Sequence, residues 1–140
     1  MKAEVKAESK SSTRVEVKAR DHSFEIDEPE AHGGTGAAPN PVEYELGALT
    51  GCINVTLHTV ADEMDVEVED LTVEISGELN PAKFQGKDTE ERAGFKQIDV
   101  EVDIESDADQ ETLERLVEEV EERCPVRDNL CNETPVRMKM

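Results

Sequence analysis

Aromatic side chains are scarce in this 140-residue chain, which has three Phe, one Tyr and no Trp. Hydrophobic residues make up only 36% of it, and such a composition by itself would suit a disordered chain. The regular spacing of the apolar residues argues against disorder, because buried strands and helices require that spacing. The length suits one domain, and we predict a single domain over residues 1–140.

Long apolar stretches are also missing. The N-terminus has no apolar segment of the signal-peptide kind, and no run of about 18 apolar residues predicts a membrane span. A cytoplasmic location without a membrane partner is therefore expected. Structural disulfides are rare in the cytosol, so the three cysteines predict thiol chemistry or metal binding rather than a covalent framework.

Positive charge is in short supply, with 15 basic residues against 35 acidic ones and a net charge of −20. This charge repels phosphates and anionic lipids, which excludes nucleic acids and membranes as partners. Three explanations are open: an acidic surface adapted to very high salt, a metal-binding protein, or a disordered acidic chain. We favour the first, a halophile-type protein, because the acidic residues are spread along the chain without calcium-loop spacing.

The N-terminal third alternates apolar and polar residues in three short segments, which is the pattern of half-buried antiparallel strands. Ser11–Ser12 and Asp21–His22 are the predicted turns between these strands. A Gly- and Pro-rich connector over 32–41 follows. Asn40–Pro41 then predicts the start of a helix that runs to about Met64.

Apolar residues occupy most of the circumference of this helix rather than one stripe. They are Val42, Tyr44, Leu46, Ala48, Leu49, Cys52, Ile53, Val55, Leu57, Val60 and Ala61. Such a helix needs protein on every side, so either a tightly wrapped sheet or a second subunit must cover it. Gly47 and Gly51 would also allow another backbone to approach closely.

Two further strands, Leu71–Ile75 and Ile98–Ile104, are predicted from alternation. A capping box from Asp107 to Gln110 then predicts a second helix that ends before Pro125. A short helical turn from Pro125 to Leu130 and a last alternating strand, Thr134–Met140, complete the chain. The predicted order is βββ-α-ββ-α-β, an α+β fold.

Two of the cysteines lie on predicted helices. Cys52 is in the middle of the apolar helix, where a buried core cysteine is the plainest interpretation. Cys124 ends the second helix directly before Pro125, so it is a candidate N-cap of the next turn. A helix N-terminus stabilises a thiolate, and Arg123 and Arg127 would act in the same direction, so a lowered pKa is predicted for Cys124. The alternative is that Cys124 only completes an apolar stripe.

Metal and hydrolase sites are not indicated. The third cysteine, Cys131, lies in a polar segment, and its spacing fits no zinc motif. His58 follows Cys52 by six residues, which places it on the opposite side of the same helix, out of reach of that thiol. A cysteine hydrolase is therefore rejected unless His22 or His32 supplies the base.

The run GGTGAAPNPVEYELGALTGCINVTL, residues 33–57, resembles the segment of OsmC/Ohr proteins that carries their first cysteine. These are the osmotically inducible and organic hydroperoxide resistance proteins. The shared pattern is a Gly-rich loop, a Pro-x-Glu helix start, a stretch of small residues and Gly-Cys. Cys124–Val126 resembles the second-cysteine motif of the family, and the run Asp27–Pro29 also recurs there. The predicted order of elements matches the family's fold.

The resemblance implies antiparallel sheets wrapped around a buried central helix in an intertwined homodimer. It also implies that Cys52 attacks a peroxide and that Cys124 resolves the product as a disulfide. The family places an arginine and a glutamate beside the first cysteine. Glu43 matches that glutamate through the Pro-x-Glu motif, Arg14 is the candidate arginine, and Arg20 is the alternative.

The implied activity is a thiol peroxidase for organic hydroperoxides, with no cofactor and with a lipoyl or other small dithiol as reductant. The alternative is a non-catalytic dimer of the same fold that senses redox state or binds a small ligand. Helix geometry adds one expectation, because Glu43 and Cys52 are ~13 Å apart along a straight helix and half a turn out of phase. If both serve one site, Glu43 comes from a partner subunit or from a bent helix start.

Overall fold

A computed structural model describes all 140 residues, and they form two compact units, Met1–Gly47 and Ala48–Met140. One helix, α1 (Pro41–Glu63), runs from the first unit into the second. The single domain over residues 1–140 stays a prediction. None of the helices is long and apolar enough to cross a membrane.

The first unit contains the predicted meander of three antiparallel strands. They are β1 (Lys6–Ser9), β2 (Val15–Ala19) and β3 (His22–Ile26), with β2 in the centre. Val17 pairs with Phe24 and is buried. The tight turn between β2 and β3 lies at Arg20 and Asp21, one residue earlier than predicted, and Arg20 adopts a positive φ of 56° there.

The buried side chain of Asp27 organises the Gly-rich connector that follows β3. Its carboxylate accepts hydrogen bonds from the backbone N–H groups of Glu28, Thr35 and Ala37 and from the Thr35 hydroxyl. Gly34 lies so close to this turn that a Cβ would be 1.9 Å from the Glu28 carbonyl oxygen. A residue with a side chain would therefore displace the connector.

The start of α1 is the capping box that Asn40 and Glu43 form. Asn40 Oδ1 accepts from the backbone N–H of Glu43, and Glu43 Oε2 accepts from the backbone N–H of Asn40, both at 2.9 Å. The predicted helix is confirmed, and it is continuous from Pro41 to Glu63.

The second unit packs one hairpin and two helices around the rest of α1. Strands β4 (Asp70–Glu78) and β5 (Gln97–Glu105) pair antiparallel, as predicted. Their inner residues pack on a cluster of buried side chains from α1, from α2 (Gln110–Arg123) and from the residues just after each of these helices. The buried cluster consists of Leu49, Ile53, Leu57, Val60, Ala61, Val66, Leu116, Val120 and Cys124.

The second helix begins two residues later than predicted. Its N-cap is Asp109 rather than Asp107, and the Asp109 side chain accepts from the backbone N–H of Thr112. Both aspartates satisfy the sequence preference for a cap, so only the backbone geometry distinguishes them. The short helical turn is confirmed as α3, Pro125–Cys131.

The predicted last strand is wrong, because residues 134–140 form no strand. Their apolar side chains are fully exposed, with Val136 at 85% and Met138 at 95%. Alternation is not sufficient for a strand, which also needs a neighbour for its backbone hydrogen bonds, and this segment has none within the chain.

Only one side of α1 is buried within the second unit. Leu49, Ile53 and Leu57 face the cluster, whereas Val55 is 65% exposed. Gly51 lies on the same uncovered side, and a Cβ there would meet nothing within 4 Å. The all-round apolar character of this helix is therefore not satisfied within the second unit.

Candidate thiol site

Cys52 and Cys124 meet at the contact between α1 and the end of α2. Their sulfur atoms lie 2.9 Å apart, with the Cys124 thiol donating to Cys52 Sγ. Both cysteines are free thiols, and Cys124 is fully buried while Cys52 is partly exposed. A disulfide bond of about 2.05 Å needs only a small further approach of the two sulfur atoms.

The fold positions the two thiols by different means. Cys52 lies on α1 beside the buried Ile53 and packs against the core cluster. Cys124 is the C-cap of α2 and the N-cap of α3, with φ −76° and ψ 109°. Pro125 begins α3 directly after it, so the chain changes direction at Cys124 with its side chain pointing into the core.

The prediction of a lowered pKa for Cys124 is wrong. Burial is the largest influence and raises the pKa of this thiol, and the hydrogen bond to Cys52 raises it further. The expected effect of the helix start is present, because backbone N–H groups of Arg127 and Val126 act to lower the pKa, but it is the weaker effect. Cys124 therefore holds its proton and is the donor of the pair.

The two arginines next to Cys124 are engaged elsewhere. Arg123 forms a two-pronged ion pair with Glu63 at the end of α1, with N–O distances of 2.5 and 2.9 Å. Arg127 donates to the Glu121 carbonyl oxygen. This engagement is a second reason why the predicted stabilisation of a Cys124 thiolate does not arise.

The remaining thiol, Cys131, is exposed at the end of α3. No three His, Cys, Asp or Glu side chains come together in a way that could hold a metal ion. His58, on α1, is exposed.

The candidate arginine, Arg14, pairs with a carboxylate that sequence reasoning missed. Its Nε lies 3.2 Å from Glu25 Oε1 on β3, and this nitrogen is buried with no well-aligned hydrogen bond. Arg14 and Glu43 form no ion pair. The alternative, Arg20, is an exposed residue of the β2–β3 turn.

Glu43 is committed to the capping box with Asn40. Its sequence neighbour Tyr44 connects α1 to β3, because the Tyr44 hydroxyl donates to the Glu25 carbonyl oxygen at 2.6 Å. The motif Asn-Pro-x-Glu predicts this cap as well as it predicts the family's glutamate, so a sequence signal for both roles was present.

Two further features of the structure were harder to predict from the sequence: the Glu63–Arg123 ion pair and the buried Asp27. Glu63 and Arg123 are 60 residues apart, and nothing in their local sequence indicates a pair. Asp27 lies before a Gly-rich connector, which is a common place for a side chain that accepts backbone hydrogen bonds, but its burial depends on the fold.

Comparison with known proteins gives one family. A family model described as OsmC-like protein matches residues 34–139. No curated protein matches the chain significantly.

Solved structures agree on the architecture. An OsmC like protein from Mycoplasma pneumoniae has a TM-score of 0.82 at 17% identity, covering 94% of this chain and 88% of that chain. An organic hydroperoxide resistance protein OsmC from Legionella pneumophila has a TM-score of 0.70 at 22% identity, covering 93% and 89%. One from Elizabethkingia anophelis has a TM-score of 0.68 at 17% identity, covering 91% and 86%. At these identities the likeness shows the fold alone.

Proposed function

Because the chain belongs to the OsmC-like family, we propose that it is a thiol-dependent peroxidase that reduces organic hydroperoxides through Cys52 and Cys124. The observation that carries this proposal is the 2.9 Å separation of the two sulfur atoms. Two structural neighbours are named as organic hydroperoxide resistance proteins, and this supports the choice of substrate.

In the proposed reaction Cys52 attacks as the thiolate. Its sulfur takes the terminal oxygen of the hydroperoxide, the O–O bond breaks, and the alcohol leaves after taking up a proton. The Cys52 sulfenic acid then condenses with the Cys124 thiol to form the disulfide, and the sulfenic oxygen leaves as water. An external dithiol, of the lipoyl or a similar small type, restores both thiols by exchange.

The buried environment of Cys124 suits the resolving role. Burial raises the pKa of this thiol, so it stays protonated beside Cys52 and carries the proton that leaves with the sulfenic oxygen. Cys52 is the less buried of the two cysteines, which suits it to the attacking role.

Arg14 and Glu43 are proposed to assist Cys52 in a homodimer. A guanidinium stabilises a nearby thiolate, and Arg14 is the candidate for that guanidinium. The uncovered side of α1, with Val55 65% exposed, supports a second copy as its cover. Glu43, ~13 Å from Cys52 along α1, would then act at the site of the partner subunit. A cytoplasmic location remains part of the proposal.

Peroxide consumption by four proteins tests the proposal. With cumene hydroperoxide and dihydrolipoamide, wild type should turn over, and Cys52→Ser should lose at least a hundredfold in rate because no nucleophile remains. Cys124→Ser should complete one oxidation and then turn over slowly. Cys131→Ser is the matched control and should keep the wild-type rate, because this exposed thiol takes no part in the proposed cycle.

One result would overturn the peroxidase. If wild type and Cys52→Ser consumed peroxide at the same rate, Cys52 would not be the nucleophile.

The second candidate, a non-catalytic redox-sensing or ligand-binding dimer, is favoured by a specific observation: Arg14 is held by Glu25, and Glu43 is held by Asn40. It predicts a Cys52–Cys124 disulfide after peroxide treatment without rapid turnover.

A further inference from the structure

Two polar side-chain contacts join α1 to the end of α2, and they come from consecutive residues. The Cys124 thiol donates to Cys52 Sγ, and both terminal nitrogens of Arg123 donate to the Glu63 carboxylate. Cys52 and Glu63 are eleven residues apart on α1, about 16 Å along the axis. The end of α2 is therefore attached to α1 at two well-separated points.

Cys124 is the junction between α2 and α3, and its backbone bonds to both, from its N–H to the Val120 carbonyl oxygen and from the Asp128 N–H to its own carbonyl oxygen. The residue is extended between two helices, and α3, which follows it, has only seven residues, of which Val126 and Leu130 are half-buried against the core cluster. Short helices of this kind have little stability of their own. The Cys124 sulfur is thus positioned by its burial in the core cluster and by the end of α2, whose last residue is Arg123.

We propose that Arg123 and Glu63 are positioning residues that hold the Cys124 thiol against Cys52 through their two-pronged ion pair. This inference rests on the proposed peroxidase. A two-pronged Arg–carboxylate pair fixes direction as well as distance, which a single contact at the sulfur atoms cannot do. Its side chains are 38% and 53% exposed, and its effect on overall stability is correspondingly small.

The chemical consequence is a competition at oxidised Cys52. The sulfenic acid either condenses with the Cys124 thiol, which gives the disulfide and water, or meets a second hydroperoxide, which gives the sulfinic acid and an alcohol. The first route depends on where Cys124 is held, and the second does not. Loosening the end of α2 should therefore shift the products towards sulfinic acid.

The test compares Arg123→Gln and Glu63→Gln with wild type after exposure to excess cumene hydroperoxide. Mass spectrometry measures the fractions of Cys52 found as disulfide and as sulfinic acid. We expect the ratio of sulfinic acid to disulfide to rise roughly two- to fivefold in each variant, while the rate of the first oxidation of Cys52 stays unchanged. Exchanging the charges, as Arg123→Glu with Glu63→Arg, should restore most of the wild-type ratio.

Arg115→Gln is the matched control, since it removes one positive charge from the exposed face of the same helix. It should leave the product ratio unchanged. A wild-type ratio in both Arg123→Gln and Glu63→Gln would overturn the proposal. So would an equal rise in Arg115→Gln, because net charge would then be the cause.

A second measurement separates this inference from the proposed function. The equilibrium between the Cys52–Cys124 disulfide and a dithiothreitol redox buffer requires no peroxide. We expect Arg123→Gln to lower the equilibrium constant for disulfide formation by a similar factor. An unchanged constant would overturn the positioning role. If the constant falls but wild type consumes no peroxide, the positioning role stands and the peroxidase fails.

Discussion

The two units of the chain balance their charge differently. Met1–Gly47 carries ten acidic and six basic residues, whereas Ala48–Met140 carries 25 acidic and nine basic residues. The second unit thus holds most of the net charge of −20.

The strands show the difference residue by residue. In the first sheet Glu16 lies directly opposite Glu25, but Glu16 has Lys18 at 3.4 Å and Glu25 has Arg14 at 3.2 Å. In the second sheet Glu74 lies directly opposite Glu101, and neither has an ion pair. The outer face of that hairpin carries seven acidic residues and no basic one: Asp70, Glu74, Glu78, Asp99, Glu101, Asp103 and Glu105.

The interiors of the two units differ as well, because the more acidic second unit has the larger apolar core. The first unit buries one aliphatic residue, Val17, and one charged residue, Asp27, so hydrogen bonds hold its connector in place. The second unit buries a cluster of nine hydrophobic residues. An apolar core can offset like-charge repulsion on the surface, and the unit with the larger core is the one that tolerates an uncompensated acidic face.

The largest expected effect comes from the core of the second unit. Leu57 is fully buried, so Leu57→Ala should lower the free energy of unfolding by about 2–5 kcal/mol through lost burial and a new cavity. Urea unfolding measures this loss. Val55→Ala, two residues away and 65% exposed, is the control, and in a monomer it should change the stability by less than about 0.5 kcal/mol.

Those two variants also probe the uncovered side of α1. If Val55→Ala destabilised as strongly as Leu57→Ala, a second subunit would be covering Val55. Equal small effects in both variants would mean that the apolar cluster does not dominate the second unit, and the contrast between the units would fail.

A medium effect is expected at Asp27 in the first unit. The pKa of this carboxyl lies well below its ordinary value of 3.8, chiefly because the Thr35 side chain donates to the carboxylate. A group with a lowered folded pKa stabilises the fold above its unfolded pKa, and this contribution is lost as the pH falls towards the folded value. Asp27→Asn should therefore be less stable at neutral pH and should lack part of the acid-induced loss.

The measurement is the urea midpoint of unfolding as a function of pH. Asp21→Asn is the control, because Asp21 is in the exposed β2–β3 turn, and its profile should follow wild type. Parallel profiles for wild type and Asp27→Asn would show that the buried carboxylate does not carry the acid sensitivity of the first unit.

The smallest effect concerns the acidic face of the second sheet. Glu101→Lys replaces repulsion of Glu74 by attraction, and it should stabilise by about 0.2–1 kcal/mol in low salt. The gain should shrink in molar salt because the charges are exposed and screened. Glu16→Lys in the first sheet should give no gain, since it removes the partner of Lys18 and one of the two partners of Lys10. Equal gains in stability from Glu101→Lys and Glu16→Lys would mean that the two sheets do not differ in uncompensated charge.

Periodicity predicted most of the elements because burial of one face imposes a period of two or of 3.6 residues. Both strands of the second sheet, α1 and α3 are where the apolar spacing and Pro125 indicated. The prediction failed at residues 134–140, where the alternation is present but no sheet edge of the chain pairs with it.

The candidate site was harder to predict than the fold. Sequence patterns selected Cys52 and Cys124, but they could not weigh helix-start stabilisation against burial, and burial decides the direction of the Cys124 pKa. They also associated Glu43 with Arg14 through a motif, whereas the structure pairs Arg14 with Glu25.

The sequence alone determined the class of elements, the acidic surface and the residue types available for thiol chemistry, since these follow from composition and local spacing. The tertiary structure alone decided which of those residues meet. The contacts Cys52–Cys124 and Glu63–Arg123 join positions 72 and 60 residues apart. Such contacts arise only when α1 and α2 bury their apolar faces against each other, and no local pattern encodes that packing.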